Sequence, residues 1–231
     1  MRTKSGIKLG IGIPQGFPDG NIDLELIQRF VSRAEVLGYD DLWVSEQITG
    51  KLPILEATTL LGYVAALSKT IRIGTSVIVS NLRQPVQLAK SLSSLDNLSS
   101  GRLTVGLGLG TNTNMYSAYG LNREHRVSRF MEGVDIMKAL WTQSSVDFIG
   151  RYAQLEGVSM EPKPVQRPHP PLWFGARVPD SMRRAVNNGD GWMGAGSATN
   201  EDYLKEHAEL QRILQEEARD PATFSVSKRV Y

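Results

Sequence analysis

The stretch 106-GLGLGTNTNMY-116 places glycine at three alternate positions, 106, 108 and 110, and then becomes polar. A dinucleotide-binding loop has the fingerprint G-x-G-x-x-G between a strand and a helix. Here the spacing is G-x-G-x-G, and Thr111 stands where the third glycine would belong. The polar connection that follows is also too long for a tight turn into a helix. The stretch therefore argues against a Rossmann domain and indicates a strand with glycine along one face.

Alternate glycines remove the side chains from one face of a strand, because successive residues point to opposite faces. Two interpretations of this bare face stay open. A helix could pack closely against it, or the ring of a cofactor could approach the backbone at the carboxyl end of the strand. Gly194 and Gly196 repeat this spacing of glycine at alternate positions later in the chain.

Outward from this stretch, short apolar runs alternate with amphipathic helical patterns. The runs with strand character cover residues 8–14, 41–46, 71–79, 102–108, 171–176, 191–196 and 224–231. Helical patterns follow the first six runs, which predicts parallel strands and an α/β fold within a single domain, residues 1–231. The pattern alone is compatible with a doubly wound open sheet and with a closed barrel.

Local signals refine this outline. Asp23 and Gly38 are typical of the start and end of a helix, and Pro85 is typical of a first helical residue. Residues 146–158 contain two strand-like pieces around Gly150 and predict a hairpin. The proline-rich residues 162–171 predict an irregular surface connector.

Composition narrows the possible functions. The chain has 231 residues, a formal net charge of +2 and no cysteine, so disulfides, zinc–thiolate sites and cysteine nucleophiles are excluded. The three histidines are far apart, which argues against a metal site. The sequence shows neither the basic stripe of a nucleic-acid binder nor an apolar run long enough for a membrane span. We therefore expect a cytoplasmic, soluble protein.

Five segments together resemble the luciferase-like monooxygenases, a family that includes many oxidoreductases dependent on the deazaflavin coenzyme F420. They are 42-LWVSEQ-47, 71-IRIGTSVIV-79, 83-RQPVQLAKSLSSLDNLSSGRLTVGLGLG-110, 162-PKPVQRPHPPLWFGA-176 and 189-GDGWMGAG-196. The resemblance implies a (β/α)8 TIM barrel with an inserted hairpin, and a homodimer. Family members continue into an eighth strand and a closing helix. This sequence stops at Tyr231, so we expect a barrel truncated after strand seven; the alternative is that a neighbouring subunit covers the gap.

The resemblance also implies where a cofactor would bind. Its ring would lie at the carboxyl ends of the second, third and fourth strands, against Ser76, Val77, Gly108, Gly110 and Thr111. A non-proline cis peptide is expected at Ser76-Val77. The cofactor phosphate would lie against Gly175, Ala176, Arg177, Gly194, Ala195 and Gly196. From the residues alone, Arg177 is equally compatible with an anion site at a helix start and with an exposed surface position.

One departure from the family pattern affects the predicted chemistry. Many deazaflavin-dependent members end the second strand in Asp-His, whereas this chain has Glu46-Gln47. We predict both as catalytic-site residues, with Glu46 orienting the ring or relaying a proton. Gln47 can only hydrogen-bond, because it lacks the ionisable ring of histidine. Glu46 is also compatible with an ordinary carboxylate at the barrel mouth.

The function expected from the resemblance is hydride transfer through coenzyme F420 to a small organic substrate. An alternative is an FMN-dependent monooxygenase that uses oxygen, and a second alternative is a non-catalytic flavin-binding protein. In each case the cofactor would carry the chemistry, and the chain would position it.

Overall fold

The computed structural model describes residues 6–110, 113–194 and 199–230. One curled sheet contains the parallel strands β1 Gly10–Gly12, β2 Asp41–Val44, β3 Arg72–Thr75, β4 Ile78–Val79, β5 Leu103–Gly108, β8 Leu172–Gly175, β9 Gly191–Gly194 and β10 Ser225–Lys228. Strands β6 Val146–Ile149 and β7 Gln154–Val158 form a separate antiparallel hairpin. The helices are α1 Leu24–Leu37, α2 Ala57–Leu67, α3 Pro85–Leu98, α4 Arg126–Thr142, α5 Pro179–Asn188 and α6 Asn200–Glu216.

The strand order is β1-β2-β3-β5-β8-β9-β10, and β4 extends the line of β3 along β5. Each parallel step is linked by at least one helix, so the predicted α/β barrel architecture and the inserted hairpin are confirmed. Within the described residues the barrel is incomplete, with β1 and β10 at the two edges of the sheet. None of the described helices combines the length and apolarity that crossing a bilayer requires.

The helix termini follow the local signals in the sequence. The side chain of Asp23 accepts the Leu26 N–H at the start of α1, and Gly38 ends that helix in the left-handed conformation. Pro85 is the first residue of α3. The apolar faces of the helices are buried with the strands in one core, in which Trp141 and Trp192 are fully buried.

The guanidinium of Arg102, just before β5, joins three elements at the amino edge of the sheet. It donates to the carbonyls of Ala65, Ser68, Ile71 and Ser99 and to the Ser68 hydroxyl, at 2.7–3.1 Å. Helix ends leave their last carbonyls without partners inside the helix. Arg102 satisfies the Ala65 carbonyl of α2 and that of its cap residue Ser68, and so fixes the end of α2 against the starts of β3 and β5.

A carboxylate fixes the neighbouring turn. One oxygen of Glu35, near the end of α1, accepts the N–H groups of Lys69, Thr70 and Ile71 at 2.6–3.0 Å and the Thr70 hydroxyl at 2.9 Å. Partial burial would raise the pKa of Glu35, but these hydrogen bonds outweigh it and hold the pKa at about 2. Glu35 therefore ties α1 to the turn before β3 while it is ionised.

We expect Glu35→Gln to lower the free energy of unfolding by about 1–2 kcal/mol at pH 7, because the turn loses charge-assisted hydrogen bonds. A lowered folded pKa gives stability that is complete above the ordinary value of about 4.5 and is lost as pH falls toward about 2. The difference between wild type and variant should therefore shrink below pH 4.5 in urea unfolding curves.

The matched control is Glu25→Gln on the same helix. The Glu25 side chain is 82% exposed, with Arg29 at 3.6 Å. That substitution should leave unfolding nearly unchanged. Equal losses in both variants, or a Glu35 effect that does not vary with pH, would contradict the assignment.

Candidate functional site

A cavity of 1440 Å³ runs along the inside of the curled sheet, bordered by β1 and β10. Trp43 and Trp173 lie in its wall, with ring centroids 5.6 Å apart. At the carboxyl edge of the sheet the lining residues include Ser45, Glu46, Gln47, Ser76, Gly194, Lys228 and Arg229. This edge is where the sequence predicted the cofactor ring.

The sheet contains a bulge next to this edge. Gly74 of β3 lies opposite Thr104, and Ile78 of β4 lies opposite Leu107. Three residues, 75–77, therefore face two residues of β5. One residue is left without a pairing partner across the two strands. The Thr75 hydroxyl compensates, since it accepts the Gly106 N–H at 2.9 Å and donates to the Gly106 carbonyl at 2.8 Å.

The alternate glycines of β5 accommodate this bulge. A Cβ on Gly106 would overlap the carbonyl oxygen of Thr75, and a Cβ on Gly108 would lie 2.5 Å from a methyl group of Val77. A Cβ on Gly110 would lie 3.1 Å from a methyl group of Val79. The bare face is therefore filled by the neighbouring strand. The glycines are therefore explained by the packing of the neighbouring strand and not by a helix, whereas cofactor binding at Gly108 and Gly110 stays a prediction.

Three predicted cofactor residues meet at this bulge. The side chain of Val77 lies over Gly108 and also over Gly175 of β8, where an added Cβ would be 3.2 Å from Val77. The Ser76-Val77 peptide bond is cis, as expected from the resemblance. Ser76 lines the cavity, and its carbonyl accepts the Ser45 hydroxyl at 3.3 Å. Val77, Gly108 and Gly175 together form an apolar seat at the carboxyl edge.

The structure places the two predicted catalytic residues in different surroundings. Glu46 is only 2% exposed at its side chain. One of its oxygens accepts the Val79 N–H at 2.6 Å, and the other accepts Nε of Arg83 at 2.9 Å and also Nη2. Gln47 lines the cavity, with its amide against Gly50. Their catalytic roles stay predictions.

Sequence reasoning missed Arg83 and Glu56, which complete the surroundings of Glu46. Arg83 Nη2 donates to Glu56 at 2.6 Å, and Glu56 caps α2 by accepting the N–H groups of Thr58 and Thr59 at 3.1 and 2.7 Å. The available signal was the R-x-P motif, in which Arg83 precedes the first residue of α3 by two positions.

The charges of this cluster reinforce each other. Burial would raise the pKa of Glu56, but hydrogen bonds from Thr59 and then Arg83 hold it at about 2. Burial would lower the pKa of Arg83, but the two carboxylates outweigh that effect and raise it. Burial, and next the negative charge of Glu46, raise the pKa of the Tyr119 hydroxyl. Glu56 and Arg83 therefore stay ionised at neutral pH.

The predicted phosphate residues lie around the start of α5. The Ser181 hydroxyl accepts the N–H groups of Arg177 and Val178 at 3.2 and 3.1 Å. The Arg177 side chain is 53% exposed, and its Nε donates to Glu206 of α6 at 3.0 Å. Arg177 is thus partly exposed and lies just before α5, and its part in an anion site stays a prediction.

The other predicted phosphate residues divide between buried, cavity-lining and undescribed positions. Ala176 is buried, and its carbonyl accepts the indole N–H of Trp192 at 2.8 Å. Gly194 lines the cavity beside Met193, which lies opposite Gly175. Thr111, Ala195 and Gly196 lie outside the described residues.

Comparisons with known proteins identify relatives of this chain. A family model for luciferase-like monooxygenases matches residues 3–231. An F420-dependent glucose-6-phosphate dehydrogenase of Kineococcus radiotolerans is 30% identical over 174 residues, which cover 71% of this chain and 50% of the relative. The oxygenase component of a flavin-dependent trigonelline monooxygenase of Acinetobacter baylyi is 29% identical over 155 residues, covering 66% and 43%.

A similar solved structure is the monooxygenase RslO1 from Streptomyces bottropensis. It superposes with a TM-score of 0.82 at 26% identity, over 95% of this chain and 70% of that chain. The chain spans about half the length of the curated relatives it matches.

The fit between the glycines and the bulge predicts that the stability lost by one substitution can be recovered by a second. We expect Gly108→Ala to cost about 1–3 kcal/mol of unfolding free energy, because its Cβ would collide with a Val77 methyl group. Adding Val77→Ala should recover much of that loss. Gly106→Ala should not be rescued by Val77→Ala, because its neighbour is the Thr75 carbonyl. Urea unfolding of the single and double variants measures the coupling.

The control for this series is Gly62→Ala in the middle of α2, where an added Cβ meets nothing within 4 Å. This substitution should be neutral or stabilising, since alanine favours the helix. A Gly108→Ala variant as stable as wild type, or strictly additive effects with Val77→Ala, would refute the packing argument.

Proposed function

The chain belongs to the luciferase-like monooxygenase family, and on that premise we propose that it is an oxidoreductase working with a flavin-type cofactor at the carboxyl edge of its sheet. The observation that carries the proposal is the contact of Val77 with Gly108 and Gly175, next to Ser76, which lines the cavity inside the sheet. This seat is apolar and is fixed by strands on both sides.

The residues at the carboxyl edge fit a tricyclic ring in their chemistry. The cavity runs from there along the whole inside of the sheet between β1 and β10, so the ring would lie at its carboxyl end. Ser76, Val77, Gly108 and Gly110 would hold the ring, with Val77 against its face. The polar side chains of Ser45 and Gln47 line the same edge and can hydrogen-bond to a ring edge. When bound, such a cofactor supplies two-electron transfer to or from an organic molecule.

Coenzyme F420 is the proposed cofactor, and a small organic molecule the proposed hydride acceptor. The support is the 30% identity to a relative named as an F420-dependent glucose-6-phosphate dehydrogenase. A second candidate is an FMN-dependent monooxygenase, because a flavin-dependent monooxygenase is 29% identical and the superposed solved structure is also a monooxygenase. In both cases Gln47 contributes by hydrogen bonding, since its amide does not exchange a proton near neutral pH.

The phosphate group, which both cofactors carry, is proposed to bind near Gly175, Ala176, Arg177 and Gly194, with Ala195 and Gly196 completing the site. Arg177 is the cationic member of the set. Its charge is shared with Glu206, 3.0 Å from its Nε. Glu206 therefore competes with a bound phosphate for the same guanidinium.

Parallel titrations with F420 and with FMN test the function. We expect saturable binding of F420, followed by ring absorbance and fluorescence. Binding of FMN alone would move the assignment to the oxygen-using branch, and binding without turnover would favour a flavin-binding protein. If a folded sample of the full chain bound neither compound, the proposed cofactor site would be wrong.

A matched pair of variants locates the ring in the same titration. Val77→Ala should weaken binding by about tenfold, because two buried methylene-sized groups are worth roughly 1.6 kcal/mol. Val36→Ala, on the exposed surface of α1, should have no effect. Equal affinities for the two variants would exclude Val77 as the seat of the ring.

Charge variants test the phosphate site separately. Arg177→Gln should weaken cofactor binding by about fivefold, whereas Glu206→Gln should strengthen it, because the competing carboxylate is removed. Both effects should diminish at high salt. Arg183→Gln serves as the control, since Arg183 lies on α5, just after Arg177 in the chain, and pairs with Glu216 and Glu217. Changes of the same sign in the Arg177 and Glu206 variants would contradict the proposed phosphate position.

A further inference from the structure

The carboxylate of Glu46 holds both ends of the turn that follows the bulge. One oxygen accepts the backbone N–H of Val79, the last residue of β4. The other accepts the guanidinium of Arg83, which follows the short 3-10 turn Ser80–Leu82. A single side chain from the end of β2 therefore closes residues 79–83 into a fixed loop.

The hydrogen bonds and the burial of Glu46 leave this carboxylate little freedom. Both oxygens have donors, and the side chain is 2% exposed. Removing one partner of a buried ion pair leaves an uncompensated charge, which is costly. Such a group is suited to holding its neighbours in place and poorly suited to exchanging protons with a substrate.

Arg83 extends the same connection to α2. Its Nη2 also donates to Glu56 at 2.6 Å, and Glu56 caps the first turn of α2. The guanidinium thus joins the end of β2, the turn after β4 and the start of α2. Its planar fork can reach two carboxylates at once, which a lysine ammonium does less well.

The bulge residue Val77 lies two positions before Val79, on the seat formed with Gly108 and Gly175. We propose that Arg83 is a positioning residue which, through Glu46, fixes Val77 against the face of the bound cofactor ring. The inference rests on the proposed function for the ring itself. Both residues of the pair line the cavity, but the inference assigns Glu46 to support of the bulge and leaves Gln47 for hydrogen bonding to the ring.

The variants that test this are Arg83→Lys and Glu46→Gln. The matched control is Arg72→Lys, since Arg72 pairs with Asp41 at the opposite end of the same strand β2, at 2.7 Å through each of two nitrogens. All three changes weaken an ion pair of β2. Only the first two touch the bulge.

The first measurement is hydrogen exchange of residues 76–82 in the cofactor-free full chain. We expect exchange to accelerate about tenfold or more in Arg83→Lys and Glu46→Gln, and to stay unchanged in Arg72→Lys. Cofactor affinity should fall in parallel by about tenfold, because a small displacement of a contact surface is costly. Exchange and affinity in Arg83→Lys equal to those of Arg72→Lys would overturn the inference.

The pH dependence of turnover separates positioning from proton transfer. A positioning role predicts that Glu46→Gln lowers cofactor affinity while both limbs of the pH profile persist. Loss of one limb with cofactor affinity retained would instead make Glu46 an acid–base group and overturn the inference. Failure of the wild-type chain to bind either cofactor would remove the proposed function and the ring-positioning role with it. Unchanged hydrogen exchange in the variants would exclude only the role assigned to Arg83.

Discussion

The carboxyl edge of this sheet depends on one packing constraint, the fit of three residues of the third strand line against two residues of β5. The extra residue brings the Thr75 backbone and the Val77 side chain onto positions 106 and 108, where any side chain would collide. Glycine at these positions is therefore a requirement of the bulge. The Thr75 hydroxyl bonds to both backbone groups of Gly106 and so replaces the pairing that the bulge interrupts. The other residues of the candidate site are positioned relative to this bulge.

Features that depend on near neighbours in the chain could be predicted from the sequence. The caps at Asp23 and Gly38, Pro85 at a helix start and the hairpin around Gly150 each follow from a few adjacent residues. The purpose of the β5 glycines could not be derived this way, because Val77 lies 31 positions from Gly108 and meets it only through strand pairing. The family resemblance supplied the cis peptide at Ser76-Val77, but not the reason why Gly108 must accompany it.

The buried ion pairs could not be predicted from the sequence either. Arg83 lies 37 positions from Glu46 and 27 from Glu56, and no periodicity relates them. The strand β2 and the residues after it are held at both ends, by Asp41 with Arg72 at the amino edge and by Glu46 with Arg83 at the carboxyl edge. Desolvation offsets much of the attraction in such pairs, so their main effect is on geometry. They fix the position of β2 along its own direction relative to β3 and β4, and hence the position of the bulge.

This arrangement assigns different tasks to the charged and the uncharged groups at the cavity edge. Glu46 is committed to Val79 and Arg83, Lys228 donates to Asn200, and Arg229 donates to Ser45. The side chains of Ser45, Gln47 and Ser76 that share this edge are neutral and hydrogen-bonding. Charged and neutral side chains therefore share this edge. The charged ones hold neighbouring segments together, and Ser45, Gln47 and Ser76 supply hydrogen-bonding groups close to the apolar seat. On the proposed function, the chain's contribution to the reaction is placement of the ring.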